Sequence, residues 1–184
     1  MPLSYATIQT NIYTWAAANV PAGMPVIWYE PNSPRPVVSL VKVPYITLLI
    51  ASSIQINQDY SAPNANSSGV INMSGDRQFI LQIQAYGGDT FTVLENLRTS
   101  LQKQSVLDTL RTNGIVFFNS FDINDITTLV DSQFEERAQM DIRFGIGQTY
   151  TDAPGYFDTI EIEEEVLNAV EVIVYNDTIT ITSP

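Results

Sequence analysis

The sequence predicts an α+β fold: a mainly antiparallel, twisted sheet with a short N-terminal helix, two central helices, a long β-hairpin and an additional C-terminal hairpin. Three observations lead there. From Phe134 to Ile146, Ala138, Met140, Ile142, Phe144 and Ile146 alternate with Arg137, Gln139, Asp141, Arg143 and Gly145. That is the period of a strand with one buried and one wet face. Two other stretches repeat at helical spacing, Tyr5, Ile8, Ile12 and Trp15, and Phe91, Leu94, Leu97 and Leu101. Between them, proline and glycine punctuate the chain at intervals suited to turns.

Taken in order, Ser4 is placed to N-cap the first helix, and Pro21 with Gly23 ends it. Val26 to Tyr29 reads as a short strand. Pro31-Asn32-Ser33-Pro34-Arg35-Pro36 admits neither helix nor central strand, because proline removes donors and restricts its predecessors. Tyr45 to Asn57 is a strand, first buried on both sides through Ile46, Leu48, Leu49 and Ile50. It then alternates, with Ile54 and Ile56 against Ser53, Gln55 and Asn57. Tyr60 to Asp76, rich in Ser, Asn and Gly, reads as a long flexible loop. Gln78 to Tyr86 resumes as a strand, with Phe79, Leu81 and Ile83 on one face and Gln78, Gln82 and Gln84 on the other.

Gly87-Gly88 breaks the chain and Asp89 N-caps the second helix. Ser105 with Asp108 resembles a capping box opening a third helix that carries Val106, Leu107 and Leu110. Asn113-Gly114 stops it, and Ile115 to Phe118 is a strand. After the long strand, Asp152-Ala153-Pro154-Gly155 turns the chain, and Phe157 to Glu163 returns as its antiparallel partner. Val170, Val172 and Val174 then alternate up to Asn176-Asp177, and Thr178 to Thr182 completes a hairpin. At about 3.3 Å per residue the 134–146 strand spans roughly 40 Å, more than a domain of this size covers. Part of the hairpin is therefore expected to pack on a neighbouring subunit, and closing heterologous contacts of that kind generate rings.

Composition removes whole classes of chemistry. The 184 residues include no Cys and no His, which excludes disulfides, thiolate nucleophiles, Cys/His zinc sites and imidazole catalysis. No apolar run approaches the roughly 18 residues of a membrane span. Residues 1–20 carry no positive charge, so no secretory signal is expected, and assembly in a cytoplasm is. Residues 1–118 hold six acids and six bases, whereas residues 119–184 hold 14 acids against only Arg137 and Arg143, which accounts for the net charge of −12. A pI near 4.1 argues against nucleic-acid binding, which needs Lys and Arg to neutralise phosphates.

The remaining motifs fail as chemistry. Ser100-Leu101-Gln102-Lys103 matches a Ser-x-x-Lys nucleophile pattern but lacks both companion motifs. Asp122-Ile123-Asn124-Asp125 begins like a calcium loop, but Ile126 and Thr127 stand where another oxygen ligand and the turn glycine belong. Asp141 and Glu163-Glu164-Glu165 lack the apolar setting of a paired-carboxylate hydrolase. Gly145-Ile146-Gly147 lies within a strand and marks a bulge or bend. No catalytic residue, cofactor or metal is expected.

Beyond a single acidic α+β domain over residues 1–184, ordered motifs add a resemblance. Trp15, Val26-Ile27-Trp28, Pro34-Arg35-Pro36 and Pro44-Tyr45-Ile46-Thr47-Leu48 resemble the opening of the phage neck terminator family. Ser74-Gly75-Asp76-Arg77-Gln78-Phe79 and Val106-Leu107-Asp108-Thr109-Leu110-Arg111 look like its second strand and second helix. Phe134 to Phe144, followed by Pro154-Gly155-Tyr156-Phe157-Asp158-Thr159-Ile160, is the most specific block. The similarity covers residues 4–165, and the 166–184 hairpin looks like an extension. The resemblance implies a non-enzymatic virion protein, a ring and typically a hexamer, at the head-proximal end of the tail. It would stop tail-tube polymerisation and dock the neck proteins of the head. The alternative is another virion ring component, a head-completion or tail-tube protein. Arg137, Asp141, Arg143, Tyr156 and Phe157 are the candidate inter-subunit contacts.

Overall fold

The computed structural model describes residues 4–29, 37–38, 41–62, 65–66, 68–130 and 133–153. The expected Pro31–Pro36 approach, the return strand Phe157 to Glu163 and the C-terminal hairpin lie outside these residues, as do Tyr156 and Phe157. Along the chain run α1 (Tyr5–Asn19), β1 (Val26–Trp28), β2 (Val37–Val38), β3 (Val41–Lys42), β4 (Tyr45–Gln55), β5 (Tyr60–Ser61) and β6 (Ile71–Tyr86). Then follow α2 (Thr90–Ser100), α3 (Gln104–Thr112), β7 (Ile115–Ser120), β8 (Asn124–Asp125), β9 (Thr128–Val130), β10 (Gln133–Glu135) and β11 (Arg137–Asp152). The fold is α+β, as expected. Met1–Asp59 with Ser74–Thr149 forms one compact unit, and Tyr60–Met73 with Tyr150–Pro184 another.

In the first unit the sheet order is β1-β4-β6-β11-β7, with β8 added on β11. β4 runs antiparallel to β6, and β7 and β8 antiparallel to β11. Only β1 is set parallel, to β4. Tyr86 meets Arg137, Gln84 meets Gln139 and Phe79 meets Phe144. Numbers rise along β6 as they fall along β11, the antiparallel sense. The core fills one face, where Ile46, Leu48, Leu81, Ile83, Met140, Ile142 and Phe144 pack against Ile8, Ile12 and Trp15 of α1, Val93, Leu94 and Leu97 of α2, and Leu110 of α3. Trp15 Nε1 donates to the Ser100 hydroxyl at 3.0 Å, and that hydroxyl donates to Leu97 O at 2.7 Å. Ser100, the serine of the nucleophile-like pattern, is thus a buried strut between α1 and α2.

Both predicted caps are present, since Ser4 Oγ accepts from Thr7 N and an Asp89 carboxylate oxygen accepts from Thr92 N. The capping box at Ser105 is not. α3 starts two residues earlier than that cap implies, with Lys103 rather than Ser105 at the N-cap, and Asp108 instead accepts from the Gln104 amide at 2.6 Å and pairs with Arg111. The helical stripes also rotate slightly. Tyr5 and Phe91 are exposed, while Thr90 and Val93 turn inward, because a 3.6-residue period places 90, 93, 94 and 97 on one face.

The strands show three further differences. Ile54 and Ile56 are exposed. The β4–β6 register shifts between Ile50 and Ser52, so Ser53 now opposes Phe79 and Ile54 opposes Gln78. One extra residue reverses which side chains face the core. The 60–76 stretch is not one loop, because β5 forms at Tyr60 and β6 already begins at Ile71. Within the second unit Ala62 N donates to Asn72 O at 3.0 Å, and Asn66 Oδ1 accepts from Ser68 N and Val70 N. These bonds satisfy a polar segment without burial. The long strand starts at Arg137 rather than Phe134, and Phe134 belongs to β10, paired with Leu129 of β9. Gly145 lies beside a register shift in the β11–β7 pair, and a Cβ there would lie 2.5 Å from the Phe118 ring. Only glycine leaves room for that ring.

One ion pair is built unlike the two exposed pairs within helices. Arg77 donates through both terminal nitrogens to Asp59, each at 2.7 Å, with the Asp59 side chain 8% exposed. Gln55 adds a bond to the same carboxylate, and Gly75 leaves the space a side chain would fill. Arg77→Ala is expected to lower stability by about 1–3 kcal/mol, because the buried carboxylate loses its bidentate donor. Arg98→Ala breaks a half-exposed pair with Glu95 and should cost less than about 1 kcal/mol. Urea unfolding of both variants checks the order, and equal losses would contradict it.

Candidate functional site: the outer face of the sheet

Strand alternation places Ile80, Gln82, Gln84 and Tyr86 of β6 and Arg137, Gln139, Asp141 and Arg143 of β11 on the face away from the core. Tyr45, Thr47 and Leu49 of β4 join them on one side by register, and on the other side Val116 of β7 opposes Gly145 while the Phe118 ring lies over that glycine. Among the described residues, all three helices pack on the opposite, core face, through Ile8, Ile12 and Trp15 of α1, Val93, Leu94 and Leu97 of α2, and Leu110 of α3.

The side chains of this outer face are tied to one another. The Tyr86 hydroxyl donates to Gln84 Oε1 at 2.6 Å, and Gln84 Nε2 donates to Gln82 Oε1 at 3.2 Å and Gln139 Oε1 at 3.1 Å. Gln139 Nε2 reaches Asp141 Oδ1 at 3.4 Å. Tyr45 stacks on Tyr86 with centroids 4.5 Å apart, and the Arg137 guanidinium lies 5.1 Å from the Tyr86 ring while pairing with Glu135. Arg143 sits 5.4 Å from the Phe121 ring. A cleft lined by Tyr29, Thr47, Leu49, Gln82, Gln84, Tyr86 and Arg137 runs across the β4 side. Val116, Phe118 and Phe121 form an exposed apolar margin at the β7 side.

Arg137, Asp141 and Arg143 therefore share one face, as their alternation implied. Gln82, Gln84, Gln139, Tyr86, Phe118 and Phe121 complete it. The glutamines were visible as the wet side of their strands, but their joining depends on β6 lying beside β11, which no local pattern encodes. The face holds Tyr, Phe, Gln and Arg and no Lys, the balance found in protein interfaces rather than in freely solvated surface.

Among the described residues no three His, Cys, Asp or Glu side chains come together as metal ligands, and no helix is long and apolar enough to cross a membrane. Asn124 and Asp125 of the calcium-like sequence form β8, paired with Ala138 and Gln139.

The described chain is thus a sheet covered by helices on one face and carrying an ordered polar-aromatic surface on the other. The family model for phage neck terminator proteins matches residues 6–178, and the chain belongs to that family. Its role is structural, in the neck and tail of a phage. The match runs past Glu165, where the resemblance carried by motifs stops. Among solved structures the chain is similar to the PVC sheath/tube terminator in the extended state of an extracellular contractile injection system. It is 8% identical with a TM-score of 0.45, covering 93% of this chain and 66% of that one. No curated protein matches the chain.

Proposed function

We propose that six copies of this chain close a ring at the head-proximal end of the tail, where the ring ends tail-tube polymerisation and joins the tail to the neck proteins of the head. Its partners are itself, the tail-tube protein and a head-completion protein, and it assembles in the host cytoplasm without a membrane. Membership of the neck terminator family supports the placement. The observation that carries the contact is the outer sheet face, where Gln82, Gln84, Gln139, Arg137, Asp141 and Arg143 are half-buried by one another. Docking a preordered face loses little further side-chain entropy. Tyr156 and Phe157 are proposed as further contacts between copies. No catalytic step, cofactor or metal enters this function. In phage deprived of the chain, tail tubes should lose their uniform length; tubes of normal, uniform length would contradict termination.

The acidic C-terminal third has a role in the same ring. DNA passes through the channel without specific binding, and a wall that bound phosphate would stall it. Negative charge repels the duplex over about 8 Å at physiological salt. Residues 119–184 supply that charge, with 14 acids against two arginines. Replacing Glu161, Glu163 and Glu164 with lysine should leave tail assembly intact and slow DNA ejection, measured as the rate of DNA release from purified virions. Unchanged ejection would count against an acidic lining.

A further inference from the structure

We infer that neighbouring copies of this chain join by an aromatic ring seated in a cleft. The apolar margin at β7 of one copy, led by Phe121, enters the cleft between the start of α1 and the sheet of the next. This deepens the ring reading proposed above and rests on it.

The projecting half lies on the outer face. Val116, Phe118 and Phe121 are 41%, 49% and 40% exposed. All three border one short stretch of β11. Val116 opposes Gly145, the Phe118 ring lies over that glycine, and Phe121 N donates to Asp141 O from the turn beyond β7. Grouped in this way they form a patch, whereas single exposed apolar residues are ordinary surface.

The receiving half lies across the sheet, on the core face. There Ile8 of α1, Phe79 of β6 and Ile146 of β11, all buried, line a cleft of about 180 Å³ together with Tyr5 and Ile50. An apolar cavity of roughly 150 Å³ holds one benzene ring, so the cleft has the size for a single phenylalanine side chain. Its charged lining residue, Arg77, is already held through both terminal nitrogens by Asp59. An entering apolar ring therefore strips water from no uncompensated charge.

Both halves belong to one chain, and that decides the occupant. An apolar patch that fits a pocket elsewhere on the same molecule makes a heterologous contact, the kind that closes rings. Because the two halves lie on opposite faces of the sheet, one copy can use both at once. In a closed ring each copy gives one margin and receives one, and neither surface stays wet. A different protein seated in the cleft would leave the Phe118 and Phe121 rings uncovered in every copy.

Photo-crosslinking in purified tails tests the pairing. Benzoylphenylalanine is installed at position 121, the tails are irradiated, and joined peptides are identified by mass spectrometry. The expected adduct runs at twice the subunit mass and joins position 121 to a peptide carrying Tyr5, Ile50, Phe79 or Ile146. The reciprocal probe at position 5 should capture the peptide of Val116 to Phe121, and it decides the matter where the first variant does not enter tails. Ser53→Trp, at an exposed position that lines the cleft, fills it and should lower the adduct at least tenfold without changing the subunit's melting. An adduct with another virion protein, none in tails that carry the probe, or one insensitive to Ser53→Trp would overturn the pairing. An adduct between two copies at residues away from the cleft would also overturn it, while leaving the ring itself standing.

Discussion

Phe144→Ala is expected to destabilise the subunit by about 3–5 kcal/mol, the largest effect of any single truncation in this fold. Phe144 is fully buried. Its ring contacts Trp15 of α1 with centroids at 6.1 Å, Phe79 of β6 at 5.4 Å and Phe117 of β7 at 6.1 Å. It therefore joins the N-terminal helix, the middle of the sheet and its edge through one side chain. Truncation leaves a cavity that three separate elements would have to collapse together to fill, and close-packed interiors relax only in part. Against a total stability of roughly 5–15 kcal/mol, such a loss is a large share. Phe118→Ala is the control. That ring is 49% exposed over Gly145, and its removal should cost well under half as much. Urea unfolding of the two variants gives both values. A Phe144→Ala loss below about 1 kcal/mol would mean that the core is not organised around this ring.

The second large effect belongs to assembly. Arg143→Glu should leave the melting of the isolated subunit nearly unchanged and reduce its incorporation into tails at least tenfold. In the subunit Arg143 is half-buried and rests against Phe121, so little of the fold depends on it. Reversal sets a second carboxylate two residues from Asp141 on the same face. If that face meets a neighbour, two like charges are brought out of water together, and a tenfold loss corresponds to only about 1.4 kcal/mol at the contact. Quantifying the chain in purified tails by mass spectrometry measures the effect. Tails that carry the variant at wild-type occupancy would remove Arg143 from the contact.

Sequence and structure agree where one periodicity runs without interruption. β11 and the core side of β6 follow from alternation alone, because a strand with one buried face repeats every two residues. The caps at Ser4 and Asp89 were legible for a similarly local reason, since a side-chain oxygen serves the next free amides. Ile54 was misplaced because the extra residue at Ala51 changes the side without changing the composition. Ser105 was misread because α3 starts two residues earlier, so Ser105 lies inside the helix and the Gln104 amide rather than a cap engages Asp108. β5 and the first residues of β6 were hidden by Ser, Asn and Gly, which suit loops as residues but still pair through their backbones.

The candidate site divides along the same line. Arg137, Asp141 and Arg143 share a face by local alternation and could be named from sequence. Gln84 and Gln139, 55 positions apart, meet only because β6 and β11 are neighbours. Phe121 lies beyond the end of β7 and reaches Arg143 through the turn that follows, where Phe121 N donates to Asp141 O at 2.8 Å. These joining contacts are long-range, and they change a row of polar side chains into an ordered surface.

Electron cryo-microscopy of the tail's head-proximal end, with this chain in place, tests the central proposal most directly. A closed ring is expected in which Gln84, Gln139 and Arg143 of each copy are buried against the next. A ring in which that sheet face is open to solvent, or a tail end that carries this chain without any ring, would contradict it.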